Sequence, residues 1–164
     1  MNQNQVNPGL VEWLLAAETP SIRYWTRRKL LGQDESSSEV QAARRAIASD
    51  GPVPAILAAQ TAQGHWPDER SFYTPKYNAT HWSLTLLVEL AADPGDPRAR
   101  RGVEFMLSRS GAVPGLMGGD SRPDFPCFWA NLLRYAVYFG FADDPRLQPV
   151  IQACLLYTSD AADE

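Results

Sequence analysis

The side chains with the most chemical potential in this 164-residue chain are polar groups set into apolar stretches. His81 opens the run Trp82-Ser83-Leu84-Thr85-Leu86-Leu87-Val88-Glu89-Leu90, and Asn131 and Arg134 interrupt the run from Phe128 to Phe139. A polar group among apolar neighbours needs a partner or a cavity. The guanidinium of Arg134 could meet a pyrophosphate or a carboxylate, and an internal ion pair with Glu89 is the first choice. The rings beside these groups, Trp82, Phe128, Trp129, Tyr135 and Tyr138, present negative faces that can stabilise a cation. Equally they can fill the core of stacked helices, and filling is favoured. If a cavity exists, its lining candidates are His81, Trp82, Trp129, Asn131, Arg134, Tyr135 and Tyr138. The catalytic residues and any cofactor are left unknown by the sequence.

Helices have to position these residues. Thr19-Pro20 fits an N-cap followed by proline at the first helical position, and Leu31-Gly32 closes that helix. Ser36 with Glu39 has capping-box spacing and opens a helix to about Ser49, broken by Asp50-Gly51-Pro52. Further helices are expected over about Pro54–Gln63, Asn78–Ala92, Asp96–Arg109, Pro126–Phe141 and from Asp144 onward. No credible strand alternation occurs. The segments from Trp82 and from Phe128 are apolar nearly all round and should be covered on every face. By contrast, Ala99, Gly102, Val103 and Met106 form one stripe, with Arg100, Arg101, Glu104 and Ser108 elsewhere, and Leu147, Val150 and Ile151 form another. Inner helices therefore alternate with outer ones. The alternation repeats: Trp82 recurs as Trp129 after 47 residues, and Asp96-Pro97-Arg98 as Asp144-Pro145-Arg146 after 48. Each Asp-Pro reads as a helix start rather than a catalytic pair. A period in the forties built of helix pairs predicts an all-α repeat array, either an open solenoid or a closed toroid.

Gln60-Thr61-Ala62-Gln63-Gly64-His65-Trp66, with Leu57 upstream, carries a Q-x3-G-x-W core. It resembles the prenyltransferase/squalene-oxidase repeat of the terpenoid cyclase-like α/α-toroid proteins. Tyr73 to Trp82 is also similar to bacterial proteins with this repeat, and Arg101-Gly102-Val103-Glu104-Phe105 resembles the start of a second, degenerate copy. The resemblance covers about Pro52–Ala153. It implies repeated inner and outer helix pairs in a partial α/α toroid. It implies Gln60 capping an outer-helix end, Trp66 stacked on it and Gly64 in a tight turn. It also implies a central cavity for an isoprenoid or other apolar ligand. The D-x-D-D acid of the cyclases is absent, and Phe141-Ala142-Asp143-Asp144 does not supply it. The Asp/Cys/His zinc site of the protein prenyltransferases finds Asp124, Cys127 and His81, without the D-x-C spacing, so no metal is expected. Catalysis therefore stays open, and a non-catalytic scaffold binding a protein or peptide is the alternative.

The chain divides on these grounds into 1–51, N-terminal helices that could equally be HEAT-like pairs; 52–153, the repeats; and 154–164. The last run, from Cys154 to Glu164, reads as a translated transposon-type sequencing adapter, which makes the protein an amino-terminal fragment. Setting it aside takes the acidic count from 19 to 16 against 15 Lys plus Arg, and the net charge from −4 to −1. That balance gives no reason to expect a nucleic-acid partner. Cys127 becomes the sole cysteine, and no apolar run approaches the ~18 residues of a membrane span. A cytoplasmic protein is expected. The connections Gly64–Lys76 and Ser110–Phe125 should gather at one end, bringing Asp68, Glu69, Arg70, Asp120, Arg122 and Asp124 to a rim.

Overall fold

Proline starts most of the helices in the computed structural model, which describes residues 7–67, 72–110 and 126–160. The helices are α1 Pro8–Leu15, α2 Pro20–Trp25, α3 Ser38–Ser49, α4 Pro52–Ala58, α5 Thr80–Glu89, α6 Pro97–Ser110, α7 Pro126–Tyr138 and α8 Gln148–Asp160. Five of these begin at proline, whose fixed φ suits the first turn and whose missing N–H would have been unpaired there anyway. No strand occurs among the described residues, so the protein is all-α.

The chain forms two units. One comprises the residues up to Ala58 together with Glu89–Asp93; the other comprises Ala59–Val88 and the chain from Pro94 onward. In the first unit, Asn7 caps α1 by accepting from the Gly9 amide at 2.9 Å. Thr19 stands at the N-cap of α2, with Pro20 at the first position. Beyond Trp25 the helix continues as a π-helical turn, Thr26–Leu30, closed by the Leu31 amide donating to the Thr26 carbonyl, and Gly32 turns out of it at φ 62°. The helix was expected, its π turn was not. α3 buries Val40, Ala43 and Ile47, one stripe at helical spacing. Its cap is Ser37, one residue later than expected, because the Ser36 hydroxyl and amide both donate to Asp34 Oδ1 in a local turn.

α4, the last helix of the first unit before the chain crosses to the second, ends at Ala58 rather than near Gln63. Thr61 and His65 bond each other reciprocally through the Thr61 amide and hydroxyl, which offers the backbone an alternative to the helix. α5 is shorter than expected at both ends. The Thr80 hydroxyl holds the Trp66 amide at 3.0 Å, and Ala91 at φ 56° stops the helix behind Glu89. α7 ends at Tyr138, because Gly140 at φ 85° lets the Phe141 amide close back on the Ala136 carbonyl. The start at Asp144 is a 3-10 turn, Pro145–Leu147, leading into α8.

The single apolar stripes expected of the outer helices are present. On α6, Ala99, Gly102, Val103 and Met106 are buried, while Arg100, Arg101, Glu104 and Ser108 are exposed. Leu147 and Val150 are buried and Ile151 half-buried. The duplicated Asp-Pro-Arg works in the same way in both copies. Asp96 accepts from the Arg98 amide and guanidinium, and Asp144 does the same for Arg146, whose other nitrogen reaches Glu104 on α6. The Arg146 guanidinium holds the Asp144 carboxyl down at about 2.

Complete covering of α5 and α7 is not what the structure has. Leu86 remains 40 % exposed and Val137 53 %, and Cys127, Ala130 and Arg134 also face out. Each helix buries one broad face and leaves part of the opposite face exposed. The rim candidates Asp68, Glu69, Arg70, Asp120, Arg122 and Asp124 lie outside the described residues.

The fully buried side chains at the start of the last helical segment, Leu147 and Val150, both precede Cys154. The run from Cys154, expected to be without structural role, supplies more than half of α8, and Cys154 is half-buried. Deleting Cys154–Glu164 should therefore cost more than the ~0.5 kcal/mol of an inconsequential surface change, read from a urea melt followed by circular dichroism. An unchanged melt would mean that this half of α8 contributes no packing.

Candidate functional site

The knot around Gln60 fixes the second unit. Gln60 Nε2 donates to the Gly64 carbonyl at 3.0 Å and to the Arg98 carbonyl at 2.9 Å, tying the turn to the start of α6. Gly102 of α6 faces this knot. A Cβ there would stand 2.9 Å from the Trp66 ring, 3.1 Å from Leu84 and 3.2 Å from Gln60 Nε2, so Trp66 and Gln60 meet at one point on α6. Trp66 itself is buried. The motif residues thus have a structural role, holding α6 against α5.

That contact presents α5 to α7. The His81 ring stacks on Phe128 with centroids 4.5 Å apart, and Tyr73, Trp82 and Tyr135 surround it at 5.5, 5.2 and 5.8 Å. Phe72 and Trp129 extend the group through Phe128. Of the seven lining candidates, His81, Trp129 and Tyr135 are buried, Trp82, Asn131 and Tyr138 are half-buried, and Arg134 is exposed. The structure therefore brings His81, Trp82, Tyr135 and, through Phe128, Trp129 together. It leaves Arg134 on the outer face of α7, away from the apolar surroundings that would have made it informative. Trp82 and Trp129, 47 residues apart in the sequence, differ in environment. Trp82 Nε1 donates to the Tyr73 carbonyl at 2.9 Å, whereas Trp129 Nε1 is buried with no partner among the described residues.

Polar groups in this cluster are costly. Among the described residues, His81 Nδ1, Tyr135 Oη and Trp129 Nε1 are buried without a hydrogen-bond partner, as is His65 Nδ1 beside Phe105. An unsatisfied buried polar group costs about 1–3 kcal/mol. Burial alone pushes the His81 imidazole down to about 4, so the ring is neutral at physiological pH, and burial drives the Tyr135 hydroxyl well up. A neutral imidazole among rings can accept or donate a hydrogen bond, but it presents no acid for protonating an alkene. Cys127 is exposed while His81 is buried, and no group of three His, Cys, Asp or Glu suited to a metal occurs among the described residues.

A second concavity, in the first unit, was not anticipated. It measures about 360 Å³ and is walled by Leu14, Ile22, Trp25, Leu30 and Leu90, with Lys29 and Glu89 beside them. Its floor is readable in retrospect, because Ile22, Trp25, Thr26, Lys29 and Leu30 share the i, i+3, i+4, i+7, i+8 spacing of one helix face. The wall from Leu90 was not readable, since it arrives from the far end of α5. No helix among the described residues is long and apolar enough to cross a membrane. No protein-family model, no curated protein and no solved structure matches this chain.

Proposed function

We propose that this chain is a non-catalytic helical-repeat scaffold that binds a protein or peptide on its surface. The supporting observation is the filled aromatic cluster. His81 and Phe128 are 1 % and 2 % exposed and stacked at 4.5 Å, so the rings on the inner helices pack on one another instead of bordering free space. Carbocation chemistry calls instead for ring faces that look into a cavity large enough for the substrate.

A second reading keeps the terpenoid cyclase-like toroid with an isoprenoid or other apolar ligand. It is favoured by the three unpartnered polar atoms of His81, Tyr135 and Trp129, which a ligand could satisfy. Farnesol and geranylgeranyl diphosphate, titrated against the full chain with tryptophan fluorescence as the readout, separate the two. The scaffold reading expects no saturable change with either, and expects Tyr135→Phe to leave stability unchanged or raised, since it removes an orphaned hydroxyl. Saturable binding that Tyr135→Phe weakens would establish the second reading in its place.

A further inference from the structure

Tyr77 is held in a conformation that a bulky residue rarely adopts. Its backbone sits at φ 72°, which is strained, and the side chain is 64 % exposed, so little burial offsets the strain. What the conformation does provide is a neighbour. The Tyr77 ring stands 5.5 Å from the Trp82 ring at an interplanar angle of 54°, and the two form a V-shaped notch in the second unit. The Trp82 wall is fixed in place. Its Nε1 donates to the Tyr73 carbonyl at 2.9 Å, and the Tyr73 and His81 rings lie 5.1 and 5.2 Å from it.

The notch already holds a cation. Lys76 Nζ lies 5.4 Å from the Tyr77 centroid and 5.7 Å from that of Trp82, closing a nearly equilateral triangle with the two rings. Both distances fall within the ~6 Å reach of a cation–π contact. Lys76 is exposed, and no carboxylate among the described residues pairs with it. We infer, on the scaffold reading above, that this notch seats the methylated ammonium of a lysine side chain on a partner protein or peptide, with Lys76 as its internal stand-in. An unmodified lysine brings the same group that Lys76 supplies from the neighbouring chain, at an effective concentration of about millimolar or more, so it has no advantage in displacing it. Trimethylation removes every N–H that water would hold and spreads the charge over a larger, less hydrated surface. Ring faces accept such a group better than a compact, strongly hydrated ammonium. A free quaternary ammonium such as choline fits less well. Two walls open to solvent cannot enclose the roughly 70–90 % of ligand surface usual for small-molecule sites, whereas a side chain has the rest of its partner to hold it.

The test is a proton NMR titration of the full chain with three short Gly/Ser peptides. One carries a central trimethyl-lysine, one an unmodified lysine, and one a tert-butyl group in place of the trimethylammonium, the same shape without the charge. The trimethyl-lysine peptide should bind saturably, its N-methyl signal moved upfield by the ring currents. The other two should bind at least about fivefold more weakly. Tyr77→Asn removes one wall and suits the left-handed backbone, so it should weaken binding at least about fivefold in a protein that melts no lower than the parent. Lys76→Ser vacates the notch and should tighten binding about two- to fivefold, the share that a stand-in cation at an exposed site holds back. The proposal is overturned if the trimethyl-lysine peptide does not bind, if the neutral peptide binds equally, if Tyr77→Asn leaves binding unchanged, or if Lys76→Ser fails to tighten it. It is also overturned if choline binds as tightly as the peptide, since the seat would then belong to a free ligand. Failure here with no isoprenoid binding rejects this notch and leaves the scaffold reading in place. Isoprenoid binding that depends on Tyr135 rejects the scaffold reading whatever the peptides do.

Discussion

Replacing Gly64 by alanine should destabilise the protein by at least about 3 kcal/mol, the largest single-methyl effect expected among the described residues. Two separate costs meet at this position. Gly64 sits at φ 98°, where a side chain is strained by about 1–3 kcal/mol. A Cβ there would also lie 2.8 Å from the Arg101 carbonyl oxygen and 3.1 Å from its carbon, so backbone, which cannot swing aside, has to move. Moving it pulls on the Gly64 carbonyl that Gln60 Nε2 holds, and through Gln60 on the start of α6. Gly32→Ala supplies the control. Gly32 is also left-handed, at φ 62°, but an added methyl would meet nothing within 4 Å. It should therefore lose only the strain, about 1 kcal/mol. The comparison is made by urea denaturation at one pH. Equal losses at the two glycines would show that the approach of the turn to α6 contributes nothing.

Stability should also fall steeply as the solution is acidified from about pH 7 to about pH 4, with His81 responsible for about 3 kcal/mol of the change. Burial among Tyr73, Trp82, Phe128 and Tyr135 lowers the folded imidazole from 6.5 to about 4. Between those values the unfolded chain binds a proton that the folded chain refuses, so the stabilisation is complete above about 6.5 and is lost as pH falls through the window. At about 1.4 kcal/mol per pH unit, the loss is about 2 kcal/mol by about pH 5 and about 3 kcal/mol by about pH 4. Carboxylates such as Asp144 and Glu104, held low by Arg146, add their own losses at lower pH. His81→Phe isolates the imidazole: the readout is the difference in slope between the two proteins over the upper part of that window, not the absolute stability of either. Parallel slopes would mean that His81 takes up its proton while folded, and that the cluster is open to water or contains an acid.

What the sequence disclosed and what it withheld divide along the reach of the interactions. The α6 stripe, the twin Asp-Pro-Arg starts and the meeting of Gln60 with Trp66 rest on contacts within a turn or two, or on a residue type whose backbone preference dominates, and all of them are present. The cap at Ser37 is displaced by one because Asp34, outside the capping-box pattern, takes the Ser36 hydroxyl first. The π turn has no compositional mark, since Thr26-Arg27-Arg28-Lys29-Leu30 would suit an α-helix equally well. Within the aromatic group, Trp129 and Tyr135 were expected to line a cavity, and both are buried. Helical spacing could not say that Phe128 would stack on His81, because that depends on how α5 and α7 cross. Arg134 looked informative only on the premise that α7 is covered all round, and its exposure removes the premise.

The bonds from Ser21 and Trp25 to the carbonyls of Leu90 and Glu89 span 69 and 64 residues of sequence. On a ribosome adding about 5–20 residues per second, α2 therefore waits several seconds for its acceptors. Until then the Trp25 indole and the Ser21 hydroxyl must be served by water, and the apolar row beside them is unwalled on one side. The first unit is thus first in translation but is completed only after all of α5 has been synthesised. A nascent chain stalled before Glu89 carries its amino-terminal helices unfinished, and it is at this stage that a chaperone would find them.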